Sequence, residues 1–250
     1  MELNDVVGIV RERADYLRCT TVAPSHDRWV PCGDLVGDPD LLRAEIAATA
    51  SGRGTEDLAV AASLYVQAYA FRLPSIAVAA FALGLPVPSV EPASTALRTA
   101  RHRPAELALL DPRLTAVDAG ELVERLLPGH LEPLVATAHE AVRVGHRLLW
   151  GNVAASLATI FRAVQSSGPL GDPDVRRRAD EFFAAAQPWL AGLGDWSIIE
   201  VPDALGWFWT RTSCCLWYQT TSGFTCDDCS LHDDTALAAQ RRGTLIGESA

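Results

Sequence analysis

The cysteine spacing near the C-terminus constrains this chain more than any other feature. Cys214 and Cys215 are adjacent, ten residues follow, and Cys226 and Cys229 close the segment with two residues between them. Four of the six cysteines therefore fall in one C-C-x10-C-x2-C pattern. Thiolates are soft ligands, and four of them suit zinc or an iron–sulfur cluster. Cys226-x2-Cys229 is a two-ligand hook closed by a tight turn. The adjacent pair is less usual. Neighbours on an extended strand point to opposite faces, so the chain has to turn at Cys214-Cys215 for both sulfurs to reach one centre. Structural zinc sites use C-x2–4-C hooks on both sides. Two iron atoms tolerate an adjacent pair better, because the sulfurs are shared between two metals.

The redox setting follows from the other end of the chain. Met1 to Arg11 opens with Glu2 and Asp5 and has only the short apolar run Val6 to Val10. It lacks the basic start, longer apolar core and small-residue cleavage site of a signal peptide. A cytoplasmic protein is expected, where clustered cysteines are metal ligands or redox groups rather than disulfides. Nor are staples needed, since 250 residues at 49% apolar supply an ample core. Cys19 and Cys32 stand apart from the other four; either could in principle reach the metal site, but a lone cysteine is usually a small buried hydrophobe, and that is the reading preferred. The longest uncharged stretch, Leu73 to Val90, is broken by Pro74, Gly84, Pro86 and Pro88. A spanning helix wants about 20 strongly apolar residues, so this stretch reads as buried core and no membrane span is expected.

A formal charge of −10 argues against nucleic acid as a partner. The chain has no lysine, so all 21 basic residues are arginines. The dense cluster Arg176-Arg177-Arg178 sits among Asp172, Asp174, Asp180 and Glu181, which reads as a salt-bridged, solvated helix face.

The expected fold class is α+β, mainly α-helical. A body over residues 1–205 carries a cysteine-rich segment over 206–250, the two forming one structural unit. A first helix is expected within 1–18, then an irregular stretch over 19–38. Asp38-Pro39-Asp40 starts a helix running to about Thr49. Thr55 is expected to cap the next helix, beginning at Glu56, with Tyr65, Tyr69 and Phe71 as core and a break at Pro74. Thr95–Arg103, Ala105–Leu110 and Leu114–Val117 read as strands of a small antiparallel sheet. Helices follow over Ala119–Leu127, Leu131–Val144 and His146–Val164, separated by Gly129 and Gly145. In the last of these, Gly151, Ala154 and Ala155 permit close approach of a helix or ligand, and Trp150 and Asn152 point about 200° apart. His139 and His146 read as buried, hydrogen-bonded histidines. Ser167–Pro173 is expected to be a loop. A further helix is expected to run to about Gln187, before two aromatic, β-rich pieces, Trp196–Val201 and Trp207–Ser213.

Between the cysteine pairs, Gln219, Thr220, Thr221, Ser222 and Gly223 offer N–H donors of the kind that tune a cluster's reduction potential. Trp207, Trp209, Trp217, Tyr218 and Phe224 read as aromatic packing under the lobe. Arg211 has two readings, steering an anionic chelate or pairing with Asp227, Asp228 or Asp233. His232 is close enough in sequence to tune a cluster through a hydrogen bond, and its plainer reading is a surface histidine.

The segment Arg211-Thr-Ser-Cys-Cys-Leu-Trp-Tyr, ending in Cys226-Asp-Asp-Cys229-Ser-Leu, resembles the C-terminus of the FhuF-type ferric siderophore reductases. Leu149-Trp150-Gly151-Asn152-Val153-Ala154 also resembles a motif in that family's helical body. The likeness is specific only at the cysteines, and Ser230 stands where the family often has proline. It implies that Cys214, Cys215, Cys226 and Cys229 hold a [2Fe–2S] cluster. It further implies a chain that reduces siderophore-bound Fe(III) to Fe(II) by one electron, releasing the metal from its chelator. No flavin or nicotinamide motif is present, so the electrons would come from a separate ferredoxin or flavin/NAD(P)H reductase. Triads, Walker loops and G-x-G-x-x-G fingerprints are absent too, and this chemistry needs none of them. Two other readings stay open: a zinc-stabilised binding or scaffold protein, and a cluster-bearing electron carrier or sensor.

Overall fold

The computed structural model describes residues 1–17, 19–21, 29–165 and 172–247. The architecture is α+β and mainly helical, with small sheets. In chain order, α1 (Leu3–Arg13) precedes β1 (Cys19–Thr20) and β2 (Trp29–Pro31). Next come α2 (Cys32–Gly37), α3 (Pro39–Arg53), α4 (Leu58–Arg72) and α5 (Ser75–Ala82). Four strands follow, β3 (Val87–Pro88), β4 (Thr95–Ala100), β5 (Arg103–Leu109) and β6 (Leu114–Thr115). The helices α6 (Ala119–Leu126), α7 (Glu132–Val142), α8 (His146–Gln165), α9 (Pro173–Ala185) and α10 (Gln187–Leu190) lead to the hairpin β7 (Gly194–Val201) and β8 (Ala204–Arg211). The cysteine segment comes next, and α11 (Asp234–Ile246) closes the chain.

Local chemistry sets several of these boundaries. Asp38 caps α3 by accepting from the N–H groups of Asp40 and Leu41, which also suits the helix dipole. The helix outruns the expected stop at Thr49 and ends at Gly54, whose φ of 64° is the left-handed cap glycine allows. Asp57, not Thr55, caps α4, accepting from Ala59 N–H. Thr55 instead accepts from the Asp57 N–H through its hydroxyl. The break at Pro74 bends α4 and α5 by 46°. Every residue of α5 is buried, so the uncharged stretch is core there. No single helix is long and apolar enough to cross a membrane, although the bent pair α4–α5 has the length and composition among the described residues.

Three expectations about element order and pairing also need correction. Some of the stretch read as irregular over 19–38 is ordered: β1 and β2 flank the β4–β5 pair in a sheet of order β1-β5-β4-β2, and α2 follows directly. Both strands are only two or three residues long, too short to show a period. β6 leaves the sheet assigned to it and pairs with β3 instead. Gly129 does not separate one helix from the next, because a π-helical turn over Leu127–Leu131 carries the chain from α6 into α7. Pro24 and most of the expected Ser167–Pro173 loop lie outside the described residues.

Among the core residues, α4 and α8 pack face to face. Tyr69 and His130 form a buried polar pair, with the Tyr69 hydroxyl 2.6 Å from His130 Nε2 and His130 Nδ1 2.6 Å from the Val90 carbonyl. Nδ1 therefore carries the proton, and Nε2 accepts from the tyrosine. Tyr65 and Tyr69 are core, but Phe71 is only half-buried and stacks on Tyr16. His139 is half-buried, bonded through Nδ1 to the Val144 carbonyl, while His146 is exposed. Their rings lie 4.3 Å apart across the helix break, which Arg143 makes with a φ of 56°. On the charged face, Arg177 pairs with Asp174 and Glu181 and Arg176 with Asp180, while Arg178 turns inward to the Ala82 carbonyl.

Candidate metal centre

The hairpin β7–β8 brings the chain to the cysteines. Trp207 and Trp209, two apart on β8, share one face, where they meet Trp196 and Phe183 from the body. β8 ends at Arg211, so the strand runs across the junction between residues 205 and 206 and ties lobe to body. The helix α11 had no sequence expectation, although Asp233-Asp234 ahead of Thr-Ala-Leu-Ala-Ala is an N-cap signal. Asp233 accepts from the Ala236 N–H, and Arg241 of that helix reaches Ser197, the Trp209 carbonyl and Thr210.

The four sulfurs gather as two pairs. Cys215 Sγ and Cys226 Sγ are 3.1 Å apart, and Cys214 is in hydrogen-bond contact with Cys229. Each pair has one buried member, Cys215 or Cys229, and one half-exposed member, Cys226 or Cys214. Each pair also joins one cysteine of the adjacent C-C to one of the C-x2-C hook. The turn that adjacency requires is made at Leu216, which takes a φ of 66°, followed by a single 3₁₀ turn over Trp217–Gln219. A left-handed leucine costs about 1–2 kcal/mol. That turn directs two successive N–H groups at the sulfurs, Leu216 to Cys214 at 3.3 Å and Trp217 to Cys215. The donors are therefore not the expected Gln219–Gly223. Thr221 of that run instead docks on the end of α3, its N–H and hydroxyl donating to the Arg53 and Gly54 carbonyls.

A buried polar chain underlies the lobe. The Ser63 hydroxyl on α4 donates to the Cys215 carbonyl at 2.7 Å and accepts from Asn152 Nδ2 at 2.8 Å. Asn152 Oδ1 accepts from Arg211 Nη1 at 3.0 Å, and Arg211 Nε donates to Asp228 Oδ2 at 2.8 Å. Asn152 is 1% exposed and Arg211 3%, so both readings of Arg211 resolve to structural pairing with Asp228. Beside Asn152 on α8, Gly151 faces Ser213, and a Cβ there would run into the Ser213 hydroxyl. The Leu149–Ala154 run thus serves close packing of the lobe on α8. Sequence reasoning missed Ser63, a lone polar residue in an apolar helix with no motif to flag it.

Electrostatics separate the sulfurs. The hydrogen bond from Cys226 draws the Cys215 thiol down to about 6 against the opposing effect of burial, with help from the Arg211 guanidinium and the Trp217 N–H. The same bond, and then burial, pushes Cys226 up. Burial raises Cys214 to about 11 despite the Leu216 N–H. Among the described residues no three His, Cys, Asp or Glu side chains converge as ligands of one ion. A [2Fe–2S] cluster needs only two protein sulfurs at each iron. Four thiols in two pairs, with N–H donors and a buried cation beside them, fit that donor requirement. His232 is half-buried one turn past Cys229, to whose carbonyl its N–H donates.

Cys19 and Cys32 join neither pair. Cys32 is fully buried in the body, where burial pushes its thiol up to about 11; Cys19 is half-buried and raised by burial to about 12. Of the aromatic residues near the lobe, Trp207 and Trp209 are buried, Trp217 is half-buried against Phe224 at 4.2 Å, and Tyr218 and Phe224 are exposed. Scanned against models of known protein families the sequence matches none, and a search of curated proteins finds no match.

Proposed function

We propose that this chain is a cytoplasmic iron–sulfur oxidoreductase that reduces the Fe(III) of a ferric siderophore, so that the metal leaves its chelator as Fe(II). The observation that carries the reading is the pairing of Cys214 with Cys229 and of Cys215 with Cys226, with the buried Arg211 beside the second pair. These four cysteines would hold a [2Fe–2S] cluster. When bound, such a cluster supplies one electron at a time. The chain's own residues would do the rest. Arg211 places a fixed positive charge beside the Cys215 and Cys226 sulfurs, and the Leu216 and Trp217 N–H groups donate to Cys214 and Cys215. Both features favour added negative charge and so raise the reduction potential. Cys226, half-exposed, brings the centre to the surface of a cleft that a chelate can enter. Electrons would arrive from a separate ferredoxin or flavin/NAD(P)H reductase.

The test is a single turnover. Protein purified anaerobically, reduced with dithionite and freed of excess reductant, is mixed with a ferric siderophore and an Fe(II)-specific trapping chelator. The reading expects up to one Fe(II) per chain, and none from Cys226→Ser. A protein whose centre cycles with dithionite yet delivers no electron to any ferric chelate would be an electron carrier or sensor instead.

A further inference from the structure

A cleft of two adjoining pockets runs away from the cysteine lobe along α4 and α8. Its inner end, about 470 Å³, is bordered by Cys226, Asp228 and Trp217; its outer end, about 310 Å³, by Arg53, Arg72, Arg103 and Phe71. Gln67, Thr159 and Trp217 line both, so the two adjoin, and each is of the size small-ligand sites occupy. A third cavity of about 660 Å³ opens off the arginine end, shares Arg72 and Arg103, and adds Arg11 and Arg101. The protein as a whole carries a charge of −10, so this concentration of cations runs against the average of its surface.

The acids near the cleft are already engaged. Asp228 pairs with Arg211, Asp227 accepts from Gln240, and Glu106 pairs with Arg98. Glu45 accepts from Thr99. Among the described residues no carboxylate pairs with Arg53 or Arg103. Both line the same cleft, and Arg53 is held below its ordinary value first by burial and then by the like charge of Arg103. Arg72 is partly committed, donating to the Tyr16 carbonyl and lying 5.3 Å over the Phe71 ring. Arg53 is fixed in place because its own carbonyl and that of Gly54 hold Thr221 of the cysteine loop. Neighbouring guanidinium groups that line one cleft without a carboxylate partner are a receptor for carboxylates, whose two oxygens match the guanidinium fork.

We propose that this cleft binds a carboxylate-bearing, anionic ferric chelate, with its acidic arms on Arg53 and Arg103 and its metal toward Cys226. This names the substrate class for the reductase reading above and rests on that reading. A neutral hydroxamate-type chelate has no charge to set against the arginines and would gain nothing from them.

Binding of gallium(III) citrate tests this, because gallium imitates Fe(III) in size and charge but accepts no electron. Titrations of the whole protein at pH 7 would be read by calorimetry and by quenching of tryptophan fluorescence. Free citrate and a neutral gallium trihydroxamate are the comparison ligands. The expected result is saturable binding of gallium citrate that weakens about tenfold or more in Arg53→Gln and again in Arg103→Gln, and that falls as salt is raised. Equal or tighter binding of the neutral chelate, free citrate binding as well as its gallium complex, or no change in either variant would each overturn the proposal. The salt dependence is measured on the unaltered protein, so the test does not hang on the variants folding. Failures can be told apart. A protein that holds iron and sulfide but ignores gallium citrate sinks this inference alone. One that binds gallium citrate through both arginines but assembles no iron–sulfur centre keeps the chelate site and removes the reductase.

Discussion

The helical body and the cysteine lobe treat the same side chains in opposite ways. In the body, burial holds Cys32 and Cys19 as neutral thiols and pushes the buried His130 down to about 4, so it stays neutral as well. In the lobe, the buried Arg211 lies beside Cys215 and Cys226, two N–H groups donate to Cys214 and Cys215, and the Cys215 thiol is drawn down to about 6. Apolar packing around a titratable group suppresses its charge, whereas fixed dipoles and a counter-ion invite it. A cysteine's role here is thus read from what surrounds it, and among these thiols only Cys215 of the lobe sits where its thiolate is favoured. The polar chain Ser63–Asn152–Arg211–Asp228 joins the two regions, carrying that charge on the body's rigid helices.

The largest contrast is between cysteines. Cys215→Ser or Cys226→Ser should remove nearly all bound iron while far-ultraviolet circular dichroism keeps the helical signal of the body. Iron retained at wild-type stoichiometry in both variants would break the distinction. Next in size is the brace. Arg211→Met strands Asp228 and Asn152, and removing one partner of a buried ion pair costs about 3–5 kcal/mol. Hydrogen exchange should show that loss in 212–233 and β8 before it reaches α4. Uniform loss across the chain would mean that lobe and body unfold as one.

A pH titration probes the body in the same way. His130 has a folded value of about 4, below its ordinary 6.5, so the unfolded chain binds the extra proton between those values. Its contribution is complete above about pH 6.5 and is lost as pH falls toward 4, amounting to about 3 kcal/mol. Chemical denaturation at pH 7 and pH 4.5 should show this slope, and His130→Gln should flatten it. An unchanged slope in that variant would assign the acid sensitivity elsewhere. The smallest effect is expected for Cys32→Ala, about 1 kcal/mol of stability with iron content untouched. A loss of iron there would bring Cys32 into the centre.

The sequence made the helices and the four ligand candidates legible because both announce themselves locally. Caps such as Asp38, breakers such as Pro74 and the cysteine spacing all act within a few residues. The pairing of the sulfurs was not legible, since it depends on Leu216 adopting a conformation that leucine avoids. The origin of β1 and β2 was hidden for a related reason, as strands this short exist only through partners such as Leu107 and Arg98, distant in sequence. Ser63 and Arg53 carry no local signal because their significance lies in what the fold sets near them, the Cys215 carbonyl for one and Arg103 for the other. Asn152 and Arg211 each stand out in the sequence, and only the tertiary structure joins them.

The central claim, that the two cysteine pairs hold a two-iron centre, is tested most directly on anaerobically purified protein. Visible absorption and electron paramagnetic resonance before and after dithionite, with iron and sulfide assays, would be the measurement. The account predicts a red-brown chromophore that bleaches on reduction, a paramagnetic signal only in the reduced state, and two irons with two sulfides per chain. A colourless protein holding one tightly bound zinc would contradict it and leave the lobe as a structural metal site.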